Sequence, residues 1–269
     1  MKKQTLELPF YSKNEYYAGY GNHSLLSAHT IKEGYLGLEI EMASSLPHDE
    51  VMKAIDGSGY MYNNISLGYY VGVSSDSSII IKDDGRRFKV ELTFAPAPLS
   101  VIIERVRIVA GLFSGKARAY NRGGIHVTYC GQKLNQTAAR VAYFISSFDD
   151  NSPFYMELFN RRPTAYCDKE MSIRQNHIAS LLGFNSEARG VEIVHRGTKA
   201  AVMHKEYGIE LRGFNSNLDF NRINEHLLAA SSIVDFAKQA KTLASLSEDG
   251  YVSFLLASPK KYSKIIKNS

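Results

Sequence analysis

Cysteine is scarce in this chain: Cys130 and Cys167 are the only two in 269 residues, in unrelated contexts and without the spacing of a zinc site. That argues against a disulfide framework and makes a reducing compartment the expectation. No stretch approaches the ~20 consecutive apolar residues of a membrane span. The first residues, Met1-Lys2-Lys3-Gln4-Thr5-Leu6-Glu7, lack the apolar run of a secretory leader. Both absences lead to the expectation of a soluble, cytoplasmic protein with no membrane partner. There is no internal repeat, low-complexity tract or convincing linker, and no nucleic-acid-binding module is visible. Charge of one sign is also in short supply: 32 Lys and Arg stand against 27 Asp and Glu, a net of +5. So mild an excess suits a polyanionic nucleotide, would also suit nucleic acid, and identifies neither.

What the chain does have is four short segments with acids or bases at every second position. They are Gly37-Leu38-Glu39-Ile40-Glu41, Val90-Glu91-Leu92-Thr93, Gly124-Ile125-His126-Val127 and Gly208-Ile209-Glu210-Leu211-Arg212. Successive side chains of a β-strand point to opposite faces. Glu39 and Glu41 therefore project from one face while Leu38 and Ile40 pack into the other. The same parity sets Glu91, His126, Glu210 and Arg212 opposite their aliphatic neighbours. If these strands share a sheet, one face is an apolar floor and the other gathers four carboxylates, an imidazole and a guanidinium. A polar strand face is ordinarily just a solvated one. Glutamate is a poor choice for that purpose, because it is depleted in strands. Two carboxylates 4 Å apart repel by about 4 kcal/mol at an effective dielectric of ~20, so a cleft that gathers them calls for cations. Mg²⁺ takes carboxylate and phosphate oxygens, and a bound nucleotide would supply the phosphates.

Around these segments the chain reads as α+β, an antiparallel sheet with helices on its apolar face. At 44% hydrophobic it can bury a substantial core. Residues 1–34 are aromatic and irregular, 35–258 read as one domain, and 259–269 as a basic tail with a frayed, solvated end. Ser45 is placed to cap a helix from near Pro47 to Gly57. Asp83-Asp84-Gly85 reads as a hairpin turn between Ile79-Ile80-Ile81 and Phe88-Val90-Leu92. A periodic helix follows Pro98 and ends before Gly115, and another spans Ala138–Phe148. Residues 152–186 look mainly helical. Glu192 to Leu211 reads as two strands joined through Arg196-Gly197-Thr198. Asp219 stands where the N-cap of a long helix belongs.

Six short patterns occur in sequence across about residues 35–245. They are Gly37-Leu38-Glu39-Ile40-Glu41, Asp76-Ser77-Ser78, Glu91 through Pro96, Gly124-Ile125-His126, Arg161-Arg162-Pro163-Thr164-Ala165-Tyr166-Cys167, and Glu210-Leu211-Arg212 followed by Asn215-Ser216-Asn217. The ordered set resembles the amidoligase family, ATP-dependent carboxylate–amine ligases with a glutamine-synthetase-like catalytic fold and a curved antiparallel sheet. Two positions depart from the family pattern: its second strand histidine is Thr128 here, and its small residue between Asp and Ser is Ser77.

The resemblance implies a mechanism in which ATP phosphorylates a substrate carboxylate and an amine attacks the acyl phosphate. Glu39, Glu41, Glu91 and Glu210 would hold Mg²⁺ ions that bridge the phosphates, with His126 on the metal or a phosphate. Arg212 would stabilise charge on the transferring phosphoryl group, its planar fork matching phosphate oxygens. Arg161 or Arg162 would hold the nucleotide phosphates or the substrate carboxylate, and Asp76 would orient or deprotonate the amine. The partners implied are small-molecule or peptide carboxylates and amines, admitted by loops at 1–34, 57–75 and 149–190. Two other classes stand beside this one. A binding or structural protein retaining the fold without turnover draws support from Thr128. A metal-dependent nucleic-acid-processing protein is prompted by Arg105, Arg107, Lys116, Arg118 and Arg122, which read better as the solvated side of a helix.

Overall fold

The alternation of aliphatic and charged residues produces strands that share one sheet. The computed structural model describes residues 32–57, 71–74, 88–118, 123–149, 151–161, 201–205 and 208–266. Its strands are β1 (Leu36–Ser44), β2 (Val71–Ser74), β3 (Phe88–Ala97), β4 (Ala117–Arg118), β5 (Gly124–Cys130), β6 (Val202–Lys205) and β7 (Gly208–Asn215). They lie in the order β2-β3-β1-β5-β7-β6, and the short β4 pairs with the end of β1. Each paired neighbour is antiparallel. The aliphatic set of each strand, including Leu38, Ile40, Val90, Leu92, Ile125, Val127, Ile209 and Leu211, is buried.

Helices cover that floor. They are α1 (His48–Gly57), α2 (Leu99–Phe113), α3 (Asn135–Ser146), α4 (Pro153–Phe159), α5 (Phe220–Gln239), α6 (Glu248–Ala257) and α7 (Pro259–Ile266). Helix α2 lies on β1 and β3, α5 on β5, and α4 on β7. The buried stripe of α2 (Val101, Ile102, Val106, Val109, Phe113) recurs at the three- and four-residue spacing of one helical face. Helix α5 buries Ile223, Leu227, Ala230, Ile233, Val234 and Ala237 in the same way. The described architecture is therefore α+β, with helices on the apolar face. No described helix is long and apolar enough to cross a membrane. Cys130 is buried.

Helix α5 begins where the sequence places its cap. The Asp219 carboxylate accepts the Arg222 N–H at 3.0 Å, satisfying one of the donors a helix start leaves open. Asp219→Ala is expected to cost about 1 kcal/mol in denaturant unfolding, while Asp219→Asn, which keeps an acceptor oxygen, should cost much less.

Several local expectations are replaced. Ser45 does not cap α1; its hydroxyl donates to the Lys116 carbonyl, and the Pro47 carbonyl accepts the Val51 N–H. Arg105 is not on the solvated side of its helix. Residue partners jump from Leu36↔Ala97 to Leu38↔Phe94, so β3 carries an extra residue at Ala95-Pro96. Arg105 is buried there and donates to the Ala95 carbonyl at 2.9 Å. A bulge leaves ladder groups unpaired, and this arginine fills the gap. The helix placed at 138–148 runs over Asn135–Ser146. Lys205 pairs with Gly208, so the chain reverses between them directly before β7, and the Arg196-Gly197-Thr198 turn lies outside the described residues. Residues 259–266 form a helix docked on α5, with Tyr262 buried and bonded to Asp235, where a frayed end was expected. The Asp83-Asp84-Gly85 turn and residues 162–186 lie outside the described residues.

His226 of α5 ties that helix to the floor. Its ring stacks on Phe214 with centroids 5.0 Å apart, and it is 2% exposed. Burial, reinforced by the Arg222 charge, lowers its pKa from 6.5 to about 4. The unfolded chain therefore binds a proton on this group between those values and the folded chain does not. Stability rises with pH wherever the unfolded state holds more protons. The contribution is complete above pH 6.5 and declines by about 3 kcal/mol as pH falls to 4. His226→Phe is expected to remove that part of the acid sensitivity, measured as the difference in unfolding free energy between pH 7 and pH 4 in each protein.

Candidate metal centre

The register of the sheet determines which polar side chains meet. Glu39 on β1 stands opposite Thr93 on β3 and His126 on β5; Glu41 stands opposite Glu91; Thr128 stands opposite Glu210 on β7. Strand parity then lifts Glu39, Glu41, Glu91, His126, Glu210 and Arg212 from the same face, away from the helices. His126 is the hub. Its Nδ1 is 2.9 Å from Glu39 Oε2 and 3.6 Å from Glu210 Oε1, and its Nε2 is 3.5 Å from Glu41 Oε1. One ligand atom each from Glu39, His126 and Glu210 can be chosen so that all three lie within 4.8 Å of one another. Donors on a single octahedral ion at about 2.1 Å can be at most about 4.2 Å apart. A contraction of a few tenths of an ångström would close these three on one cation. Two carboxylates and an imidazole also suit a divalent metal chemically.

Glu41 is held differently. Its Oε2 accepts the Gly124 N–H at 2.6 Å, and its backbone carbonyl accepts the Ser216 hydroxyl. That leaves Oε1 facing the imidazole, at the edge of the three converging donors. Glu91 sits beside Glu41 in register and receives a long hydrogen bond from Thr93 Oγ1, 3.4 Å. It is not among the three.

Arg212 reaches the centre by continuing the register of Thr128↔Glu210 and Val127↔Leu211, and β7 becomes irregular just after it. Val127 pairs with Leu211 and Ile125 with Phe214, so Arg212 and Gly213 together oppose His126. Ordinary alternation puts Glu210 and Arg212 on the polar face, and the bulge returns Phe214 to the floor. Arg212 Nε comes within 3.5 Å of His126 Nε2, and its Nη1 within 3.4 Å of Met203 Sδ. Gly213 permits the bulge to be covered closely: a Cβ there would lie 2.7 Å from the Phe159 ring.

Arg161 arrives from the other end. The α4 helix stops at Asn160, whose φ of +50° turns the chain, and buried Arg161 donates to the Gly123 carbonyl at 3.3 Å. A Cβ on Gly124 would stand 3.1 Å from His126 Nε2 and 3.3 Å from Arg161 Nη1. The missing side chain is what lets guanidinium and imidazole approach the same strand end. The Gly124 amide and Ser216 were not singled out as contacts from sequence, although the Gly123-Gly124 doublet was a signal of close approach. Asp76 and Arg162 lie outside the described residues.

No protein-family model matches the chain, and no curated protein matches it. The electrostatics of the cluster must therefore be read on their own terms. Burial pushes the His126 pKa down, but its hydrogen bond to Glu39 and the charges of Glu39 and Glu210 outweigh burial and the opposing Arg212, so it stands above the ordinary value. The cluster thus stabilises positive charge at its centre. A proton on His126 supplies one such charge; a divalent cation would supply more.

Proposed function

We propose that this face binds a divalent cation together with ATP, and that the protein is an ATP-dependent carboxylate–amine ligase with a glutamine-synthetase-like sheet. The observation that supports the reading most is the convergence of Glu39, His126 and Glu210, with Glu41 and Arg212 beside them. A sheet face used only for solubility would gain nothing from gathering mutually repelling carboxylates in partly buried positions. Glu39, Glu210 and His126 would hold the cation, and Glu41 and Glu91 line its approach. When bound, the ion would neutralise phosphate charge.

The remaining work falls to this chain's own groups. Arg212 lies against His126 and Arg161 reaches the Gly124 end of the same strand, guanidinium donors suited to a phosphoryl group and to a second anionic group such as a substrate carboxylate. In the reaction proposed, a substrate carboxylate oxygen takes the γ-phosphoryl group and ADP leaves. The amine nitrogen then attacks the acyl carbon, phosphate leaves, and a base takes the amine proton; the resemblance assigns that base to Asp76. Positioning and charge neutralisation dominate such transfers.

The test is ADP release from Mg²⁺-ATP across pooled carboxylates and amines. Turnover that needs both a carboxylate and an amine supports the reading. Metal and ATP binding without turnover for any pair would favour the binding-protein alternative. Thr128 lends that alternative specific weight: it stands on the polar face opposite Glu210, where the family pattern has a second histidine. Metal affinity should also depend on pH. Ligation needs the neutral imidazole, so Mn²⁺ binding followed by calorimetry should weaken as pH falls through the raised His126 value.

A further inference from the structure

On the helical side of the sheet, α4, α5, α6 and α7 enclose a cavity of about 390 Å³, within the size range of small-molecule sites. Its floor is apolar and buried: Leu158, Ala229, Tyr251 and Leu255, with half-buried Phe154 as one wall. The Tyr251 hydroxyl is already bonded to Ser232 and turns no polar group to a visitor. His226 also lines the space, and its buried Nδ1 has no hydrogen-bond partner. A buried polar atom left unmatched costs about 1–3 kcal/mol. Its charged lining is asymmetric. Arg222 is paired with Glu225 at 2.8 Å, while Glu157, across the mouth on α4, has no ion-pair partner among the described residues. Among the described lining residues, two carboxylates stand against one guanidinium.

We propose that this cavity binds a small primary amine with an apolar body of one or two rings. The body would lie on Phe154, Leu158, Ala229 and Leu255, and the ammonium would face Glu157 and Glu225 at the mouth. His226 stays neutral at physiological pH, so it does not oppose a cationic ligand. The site is separate from the metal centre, because His226 stacks on the floor side of β7 whereas Glu210 and Arg212 leave the opposite face. It therefore stands or falls apart from the proposed ligase reaction.

Tryptamine is a suitable probe, with indole-3-ethanol and indole-3-propionate as the neutral and anionic molecules of similar shape. Saturation-transfer NMR and calorimetry on the full chain, in EDTA, should show tryptamine binding about 3-fold tighter than the alcohol and about 10-fold tighter than the acid, the scale of partly exposed charge pairs. Glu157→Lys lies on an exposed position, so its fold should survive, and it should reverse the order of amine and acid. Ala229→Leu should diminish binding of all three by filling the floor. Glu210→Gln should leave tryptamine binding unchanged. Equal affinities for amine and acid, no binding of tryptamine at millimolar concentration, an unreversed order in Glu157→Lys, or loss of binding in Glu210→Gln would each overturn the proposal.

Discussion

Glu210→Gln is expected to weaken divalent-cation binding by about 10³-fold or more, with the fold retained. The carboxylate is the most buried of the three converging donors, its side chain 3% exposed. Water therefore cannot readily take its place. At about 2.1 Å and an effective dielectric of ~20, a dication and a carboxylate attract by of order 10 kcal/mol. An amide oxygen can occupy the same position but carries only a dipole. Losing even a third of that attraction is about three orders of magnitude in affinity. The fold should survive because the substitution keeps shape and an acceptor for His126, and because removing one charge also relieves repulsion with Glu39. Mn²⁺ titration by calorimetry, with far-UV circular dichroism as the control, measures both. An affinity within 10-fold of the wild type would falsify the placement of the ion between these three residues.

This site was legible in the sequence to the extent that strand parity is. Glu39, Glu41, Glu91, His126 and Glu210 each alternate with an aliphatic residue, and a period of two allows only one outcome once the strands pair. Their sharing of a sheet followed from the same pattern, because each aliphatic set needed one floor. What alternation could not give was the return of Phe214 to the apolar floor. That depends on one extra residue at Arg212-Gly213, and a bulge shifts pairing without changing composition. The same limit hid Arg105, whose burial answers a second bulge at Ala95-Pro96 on another strand. Charge suggested a solvated residue; an unpaired carbonyl decided otherwise. Asp219 was legible because a cap is purely local. The C-terminal helix was not, because Tyr262 is buried by α5, whose Asp235 lies far away in the chain.

Arg161 shows a further step beyond local pattern. Side by side, Arg161 and Arg162 looked like a pair of equivalent candidates. The structure brings Arg161 to the Gly123 carbonyl through the turn at Asn160, a contact that nothing in the dipeptide itself marks, while Arg162 lies outside the described residues. The glycine at position 124 is the only sequence trace of that arrangement. Chain ends of strands that lack a Cβ are where side chains from elsewhere can come close to the backbone.

Arg212→Ala should lower turnover by roughly 10³-fold, the range for arginines that act on phosphoryl transfer, while ATP binding weakens much less. The difference follows from the proposed role. A group that meets charge developing on the transferring phosphoryl stabilises the transition state more than the bound ground state, so its loss appears mainly in kcat. The packing around Arg212 supports such a role physically. It holds the guanidinium against the His126 ring and the Met203 sulfur, both of which limit its freedom, so little ordering remains to be done when charge develops. Arg212→Lys should recover little, because an ammonium cannot reproduce the planar two-pronged contact and its shorter reach would leave His126. A purely structural arginine would behave otherwise. If Arg212 served only to offset Glu39 and Glu210, its removal would lower stability and metal affinity, and lysine would restore most of both. The two roles separate in one experiment: steady-state kinetics of ADP release beside Mg²⁺-ATP calorimetry for wild type, Arg212→Ala and Arg212→Lys. Unchanged turnover in the alanine protein, or full rescue by lysine, would reduce this arginine to a counter-charge for its acidic neighbours.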